Sequence, residues 1–236
     1  MRALLSPDGL ETEPYLHLTF PDPREARPYV VINMVCTLDG RIVNVQNAKG
    51  LGSATDKRLM ERIRTQVDAV LIGAATLRAD PRMGYPLGLT RAVLSASGRL
   101  PEDLSFFEEA PERAVLFLSS GGDAPALPSG AEVVRVNEAA DAVRHLRRER
   151  GVRTLLVEGG AILNGQLIRD GYVDELFLTL APKLRGGDGP TIVTAPAFPS
   201  EALPRLRLLS VFEEEGELFL RYAFHHDAQP GVASPT

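Results

Sequence analysis

The feature that most constrains this chain is a repeated alternation of pattern. Seven short apolar runs punctuate residues 29–182: "YVVINMVC" (29–36), "DAVLIG" (68–73), "RAVLS" (91–95), "RAVLFLS" (113–119), "AEVVRV" (131–136), "RTLLVE" (153–158) and "DELFLTLAP" (174–182). Runs this short and rich in β-branched residues read as buried strands. Helix-like patterns lie between several of them. "SATDKRLMERIRTQ" (53–66) carries Leu59, Met60 and Ile63 on one face, with Ser53 and Asp56 at capping-box spacing and Thr55 an equal alternative for the start. "EAADAVRHLRRERG" (138–151) sets Ala139, Ala142, Val143 and Leu146 at i, i+3, i+4 and i+7, and Gly151 is a fitting stop. "AILNGQLIRDG" (161–171) reads as a further helix, and "RLRLLSVFEEEGELFLRYAF" (205–224) as an antiparallel hairpin about "EEGE".

Strands alternating with helices imply an α/β fold: a mixed, mostly parallel sheet between helical layers, with the terminal hairpin antiparallel. Residues 28–225 are expected to form one domain. Residues 1–27 are dense in turn formers and read as an irregular extension wrapping it. Residues 226–236 read as a flexible polar tail.

Bulk composition removes several classes of function. The net charge of −5 argues against a nucleic-acid surface. The basic run 144–153 reads as the solvated face of a helix. With Cys36 the only cysteine, neither an internal disulfide nor a cysteine zinc site is possible, and Cys36 itself reads as a small buried hydrophobe. No apolar stretch approaches the roughly 18 residues of a membrane span, and no signal pattern opens the chain, so a cytoplasmic location is expected.

Ligands of open, largely parallel sheets bind beyond the carboxyl ends of the strands. Three strand-to-helix junctions carry chemistry there. In "VEGGAILNG" (157–165) two adjacent glycines open a helix, which suits either an anion at its N-terminus or tight strand–helix packing. Glu158, a carboxylate ending a buried strand, needs either an internal donor or a ligand N–H. In "VLIGAATLRADP" (70–81), Thr76 and Asp80 stand four apart; they either cap and end a helical turn or touch a ligand together. In "NMVCTLDGRIV" (33–43), Asp39–Gly40 is a turn signal, with Thr37 and Arg41 beside it.

Together "TLDGRI", "GAATLRADPRM" and "VEGG…VDEL…APKLRGG" resemble the riboflavin-biosynthesis pyrimidine reductases, the reductase half of the bifunctional deaminase–reductase. The resemblance covers roughly residues 28–224 and implies a dihydrofolate-reductase-like fold. It also implies NADPH-dependent reduction of a ribosylaminopyrimidine 5′-phosphate, of the 5-amino-6-(5-phosphoribosylamino)uracil reductase type, without a metal. By this resemblance Asp39, Arg41 and Glu158 are catalytic. Thr37, Lys49, Ser53, Arg64, Met83 and Glu158 meet the substrate, Arg64 at its phosphate. Gly73, Thr76, Asp80, Ser95, Gly159, Gly160, Ala161, Ile162, Leu163, Asn164, Lys183 and Leu184 hold the cofactor. A homodimer is implied as well. The zinc deaminase half needs a His and two Cys, which one cysteine cannot supply, so a stand-alone reductase is expected. The alternatives are a reductase of the same fold acting on another small heterocycle such as a pterin, and a non-enzymatic ligand-binding module.

Overall fold

Each apolar run becomes a strand, and the sheet they build fixes where a ligand can sit. The computed structural model describes residues 1–5, 13–42, 51–119 and 121–226. Among them the order is β1 (Arg2–Leu5), β2 (Tyr29–Thr37), α1 (Ala54–Arg64), β3 (Ala69–Gly73), α2 (Ala74–Ala79), β4 (Thr90–Ser95), α3 (Ser105–Glu108), β5 (Ala114–Ser119), β6 (Glu132–Val136), α4 (Ala139–Arg150), β7 (Thr154–Val157), α5 (Ala161–Arg169), β8 (Glu175–Ala181), β9 (Leu206–Glu214) and β10 (Glu217–Phe224). One ten-stranded sheet runs β1-β9-β10-β8-β2-β7-β3-β4-β5-β6. The seven strands from β8 to β6 in this order are parallel, and β10, β9 and β1 add antiparallel. The carboxyl ends of β2, β3, β4, β5 and β7 therefore share one edge.

The continuous apolar runs are explained by burial on both faces, since parallel strands lie between two helical layers. Val31, Val70, Ile72, Leu116 and Leu156 point into one cluster with Leu59 and Ile63 of α1 and Phe106 of α3. Their neighbours Val30, Leu71, Val115, Leu155 and Val157 point into the other, with Val143 and Leu146 of α4 and Leu163 and Leu167 of α5. This is the three-layer α/β arrangement expected.

Helix ends show how the sequence is used locally. Gly151 ends α4 in the left-handed region, with φ +66°. Ser53 caps α1 as its position predicts, accepting from the backbone N–H groups of Thr55 and Asp56. The reciprocal half of the expected box comes from elsewhere: the Ser53 N–H donates to Glu217 of β10 at 3.2 Å. Asp56 is thereby released from capping.

The N-terminal extension departs from expectation. Residues 2–5 are a strand, paired antiparallel with β9 through Arg2↔Glu213 and Ala3↔Phe212. Four residues are too few to show a period, and the order comes from the open edge of β9, aided by a 3.2 Å ion pair from the Met1 ammonium to Glu214. Further along, Arg27 forms a buried two-pronged pair with Asp174, at 2.6 and 2.8 Å, which fastens the extension to the start of β8. Of the expected tail, residues 227–236 lie outside the described residues. Among those described, no helix is long and apolar enough to cross a membrane.

Leu146 is fully buried between α4 and the sheet. Leu146→Ala is predicted to lower unfolding stability by about 2–5 kcal/mol through lost burial and a residual cavity. Urea unfolding measures this, and a change below about 0.5 kcal/mol would contradict the assigned layer.

Candidate active site

Two clefts open at the carboxyl edge of the sheet, and Ile42, Thr76 and Gly160 line both. The larger, about 530 Å³, is walled by the end of β3 and start of α2 (Gly73 to Thr76, Arg78), the end of β4 (Leu94 to Ser97) and the start of α5 (Gly160 to Leu163, Gln166). The smaller, about 290 Å³, combines the apolar Met34, Leu51, Met60 and Met83 with the ionisable Asp56, Arg64, Asp80 and Glu158.

Glycine makes this junction possible. A Cβ at Gly73 would lie 3.2 Å from the Gly160 nitrogen, and one at Gly160 would lie 3.4 Å from Thr76 Oγ1. Gly159 has φ +83°, which side chains rarely adopt, and its carbonyl accepts from the Gly73 N–H at 2.7 Å. Both α2 and α5 have glycine N-caps with no side-chain cap, whereas Ser53 caps α1 and Glu138 caps α4. The first N–H groups of α5, which have no intrahelical partner, thus meet no capping side chain where the larger cleft lies. Thr76 is accordingly the third residue of α2 rather than its cap, and Asp80 ends that helix, its N–H donating to the Thr76 carbonyl at 3.1 Å.

Glu158 finds an internal partner. Arg64, at the end of α1, donates to both carboxylate oxygens at 2.8 Å, and the Tyr85 hydroxyl donates to the same carboxylate at 2.8 Å. The remaining Arg64 nitrogen donates to the Gly84 carbonyl at 3.1 Å, and the guanidinium lies 4.3 Å from the Tyr85 ring centroid. The Arg64 and Glu158 side chains are 9% and 8% exposed, so each neutralises a charge that would be costly alone. Burial, followed by the charge of Glu158, pushes the Tyr85 phenol well above its usual value, which keeps it a neutral donor.

The first junction is built differently. Asp39 accepts from Thr37 Oγ1 at 2.5 Å and from the N–H groups of Arg185 and Gly186 at 3.1 and 2.8 Å. The Thr37 hydroxyl, then those two N–H groups, lower its carboxyl from the ordinary 3.8 to about 2. Arg41 donates to the Gly189 carbonyl. Thr37, Asp39 and Arg41 line neither cleft; they staple the turn after β2 to the segment after β8, and that turn carries Ile42 into both clefts. Cys36 is buried, and burial, then the nearby Asp39, pushes its thiol up to about 11, which leaves it protonated and unreactive.

Of the residues implied by resemblance, Gly73, Thr76, Ser95, Gly160, Ala161, Ile162 and Leu163 line the larger cleft. Arg64, Met83, Asp80, Glu158 and Gly159 line the smaller, with Thr76 and Gly160 common to both. Ser53 is occupied with α1 and Glu217. Asn164 is buried, its amide donating to the Ile192 carbonyl at 2.8 Å. Lys183 reaches the Leu51 carbonyl with its ammonium at 2.9 Å, and Leu184 is exposed. Lys49 lies outside the described residues. Sequence reasoning did not assign Met34, Ile42, Asp56, Met60 or Tyr85 to the site. Tyr85 stands in the aperiodic "RMGYPLG", so nothing local marks it. Asp56 carried one signal, an acid at capping position, which pointed to the helix instead.

A sheet of this order with two adjoining clefts at its carboxyl edge is an α/β domain able to hold two small molecules in contact. The family model described as the RibD C-terminal domain matches residues 28–218, and the chain belongs to that family. It is 32% identical over 182 residues to the 2,5-diamino-6-ribosylamino-4(3H)-pyrimidinone 5′-phosphate reductase of Methanothermobacter thermautotrophicus, covering 71% of this chain and 84% of that one. The reductase of the same name from Aquifex aeolicus is 28% identical, with 83% and 96% covered. Among solved structures, Acinetobacter baumannii RibD superposes with a TM-score of 0.72 at 21% identity, over 85% of this chain and 59% of that one, and so shares the fold.

The Asp39 staple predicts a pH dependence. A lowered carboxyl stabilises the staple above its unfolded value, and that contribution is lost as pH falls through about 2. The protection factors of the Arg185 and Gly186 amides, measured against the intrinsic exchange rate at each pH, should hold from pH 7 to 4 and fall towards one near pH 2. Loss of protection at pH 5 would contradict the staple.

Proposed function

We propose that this chain reduces a ribosylaminopyrimidine 5′-phosphate, with NADPH in the larger cleft and the pyrimidine in the smaller. Reductases of this family use a nicotinamide cofactor; the choice of NADPH and the assignment of clefts belong to this reading. The observation that carries it is the common wall. Hydride transfer requires two ligands in contact, and Ile42, Thr76 and Gly160 border both spaces.

The larger cleft fits a dinucleotide. Its volume is about 530 Å³, glycine backbone forms part of its wall, and the α5 N-terminus without a side-chain cap suits a phosphate. Arg78 lines it and is the candidate partner of the extra phosphate that distinguishes NADPH from NADH. When bound, the cofactor supplies hydride to C1′ of the opened ribose. The protein's part is position and exclusion of water. Met34, Leu51, Met60 and Met83 give the smaller cleft apolar sides, and Glu158 is held in one orientation by Arg64 and Tyr85. Three of the five Arg64 N–H groups are engaged, so in this reading it orients Glu158 and keeps two N–H groups for the substrate phosphate. Asp39 and Arg41 act through the turn that presents Ile42. The substrate named for the two relatives, the 2,5-diaminopyrimidinone, is the one proposed here. A cytoplasmic homodimer completes the reading.

The test is NADPH oxidation at 340 nm with the 2,5-diamino-6-ribosylaminopyrimidinone 5′-phosphate. Turnover is expected; NADPH binding without turnover would overturn the substrate assignment. NADPH at 100 times its Kd should stabilise the fold by about 2.7 kcal/mol. Glu158→Gln is predicted to lower kcat/KM for the pyrimidine more than NADPH affinity. The reverse would move Glu158 to the cofactor side.

A further inference from the structure

One acid in the smaller cleft has no task in what precedes. Asp56 sits in the first turn of α1, where the reciprocal half of a capping box would engage it, yet the Ser53 N–H and hydroxyl both go to Glu217. Asp56 lines the smaller cleft instead, with Oδ2 packed beside Gly52. Its seat is specific: a Cβ at Gly52 would fall 2.1 Å from Asp56 Oδ2, so a residue without a side chain makes room for it. Thr179, a buried residue of β8, is its hydrogen-bond donor. Among the described residues no arginine or lysine forms an ion pair with it, and the Arg64 of the same cleft is taken by Glu158.

Two neighbouring carboxylates have partners, and Asp80 of the same cleft is exposed to water. Glu158 takes three donors from Arg64 and Tyr85, and Glu217 takes two from Ser53. Burial, offset in part by Thr179 and reinforced by Glu217, raises the Asp56 carboxyl from 3.8 to about 6. A half-buried carboxylate so short of donors is an acceptor for N–H groups brought by a ligand.

We propose that Asp56 reads the pyrimidine ring, accepting from the 2-amino group and the N3–H of the 2,5-diaminopyrimidinone, and so selects it over the 2-oxo ring of the deaminated uracil compound. Two adjacent N–H donors match the two oxygens of one carboxylate, as in a fork-to-fork pair. The uracil ring offers N3–H beside a 2-oxo acceptor, which faces an ionised carboxylate with like polarity. This inference rests on the reductase reading and supplies what that reading lacks, the group that distinguishes the two substrates.

Asparagine reverses the pattern, since its carbonyl accepts from N3–H while its amide donates to a 2-oxo group. The experiment measures calorimetric binding and NADPH-dependent turnover of both compounds by the wild-type protein, Asp56→Asn and Asp56→Ala. NADPH-induced thermal shifts report that the variants are folded. Wild type should favour the diamino compound. Asp56→Ala should lose about 10- to 100-fold in affinity for it, much more than for the uracil compound, and Asp56→Asn should invert the preference.

The diamino KM should also fall as pH rises through about 6 in wild type only. The ionisable groups around Asp56 are Glu217 of β10, Arg64 of its own helix, and Asp80 and Glu158 across the cleft. Equal losses for both compounds in both variants, no loss at all, or a wild-type preference for the uracil compound would each overturn the assignment. Binding that discriminates without turnover would uphold it and reject the reductase reading, whereas binding of neither compound rejects both.

Discussion

The site depends on one buried ion pair. Arg64 closes α1, Glu158 closes β7, and their two-pronged contact ties a helix on one face of the sheet to the edge where ligands enter. Tyr85, from the segment between α2 and β4, adds a third anchor. Removing one partner would strand a buried charge, at about 3–5 kcal/mol. The pair therefore fixes the orientation of Glu158 at the wall of the smaller cleft. With Arg64 and Glu158 answering each other, Asp56 is left as a partly buried acid of the cleft with Thr179 as its donor and no cation paired with it among the described residues.

Beside that pair, Ile42, Thr76 and Gly160 form a wall common to the two cavities. Each wall residue arrives by a different physical route. Thr76 is delivered by α2 starting directly at the end of β3. Gly160 is there because a side chain would crowd Thr76. Ile42 comes on a turn whose acid, Asp39, is spent on the segment following β8. Residues implied as catalytic by resemblance thus divide into one that lines a cleft, Glu158, and two that line neither, Asp39 and Arg41, which bond to the segment after β8.

Much of the fold was legible because buried parallel strands leave continuous apolar runs, and amphipathic helices leave a 3.6-residue period. β1 was not, since its order is imposed by the free edge of β9. The three junctions were legible as strand ends beside glycines. The pairing across them was not, because Arg64 and Glu158 are 94 residues apart and neither local context names the other. Asp56 shows a subtler failure. Its spacing from Ser53 satisfied a local rule, and a distant acid, Glu217, took that role. Lys183, implied as a cofactor contact by its motif, donates to the Leu51 carbonyl, a long-range contact its local sequence does not announce.

The most direct test of the two-cleft account is a crystal structure of the protein with NADP⁺ and the 2,5-diaminopyrimidinone phosphate. The nicotinamide ring is expected at the wall of Ile42, Thr76 and Gly160, with the rest of the dinucleotide running past Ser95 and the start of α5, and the pyrimidine beyond the wall between Asp56 and Glu158. A nicotinamide ring bound away from that wall, or both ligands on the same side of it, would contradict the account.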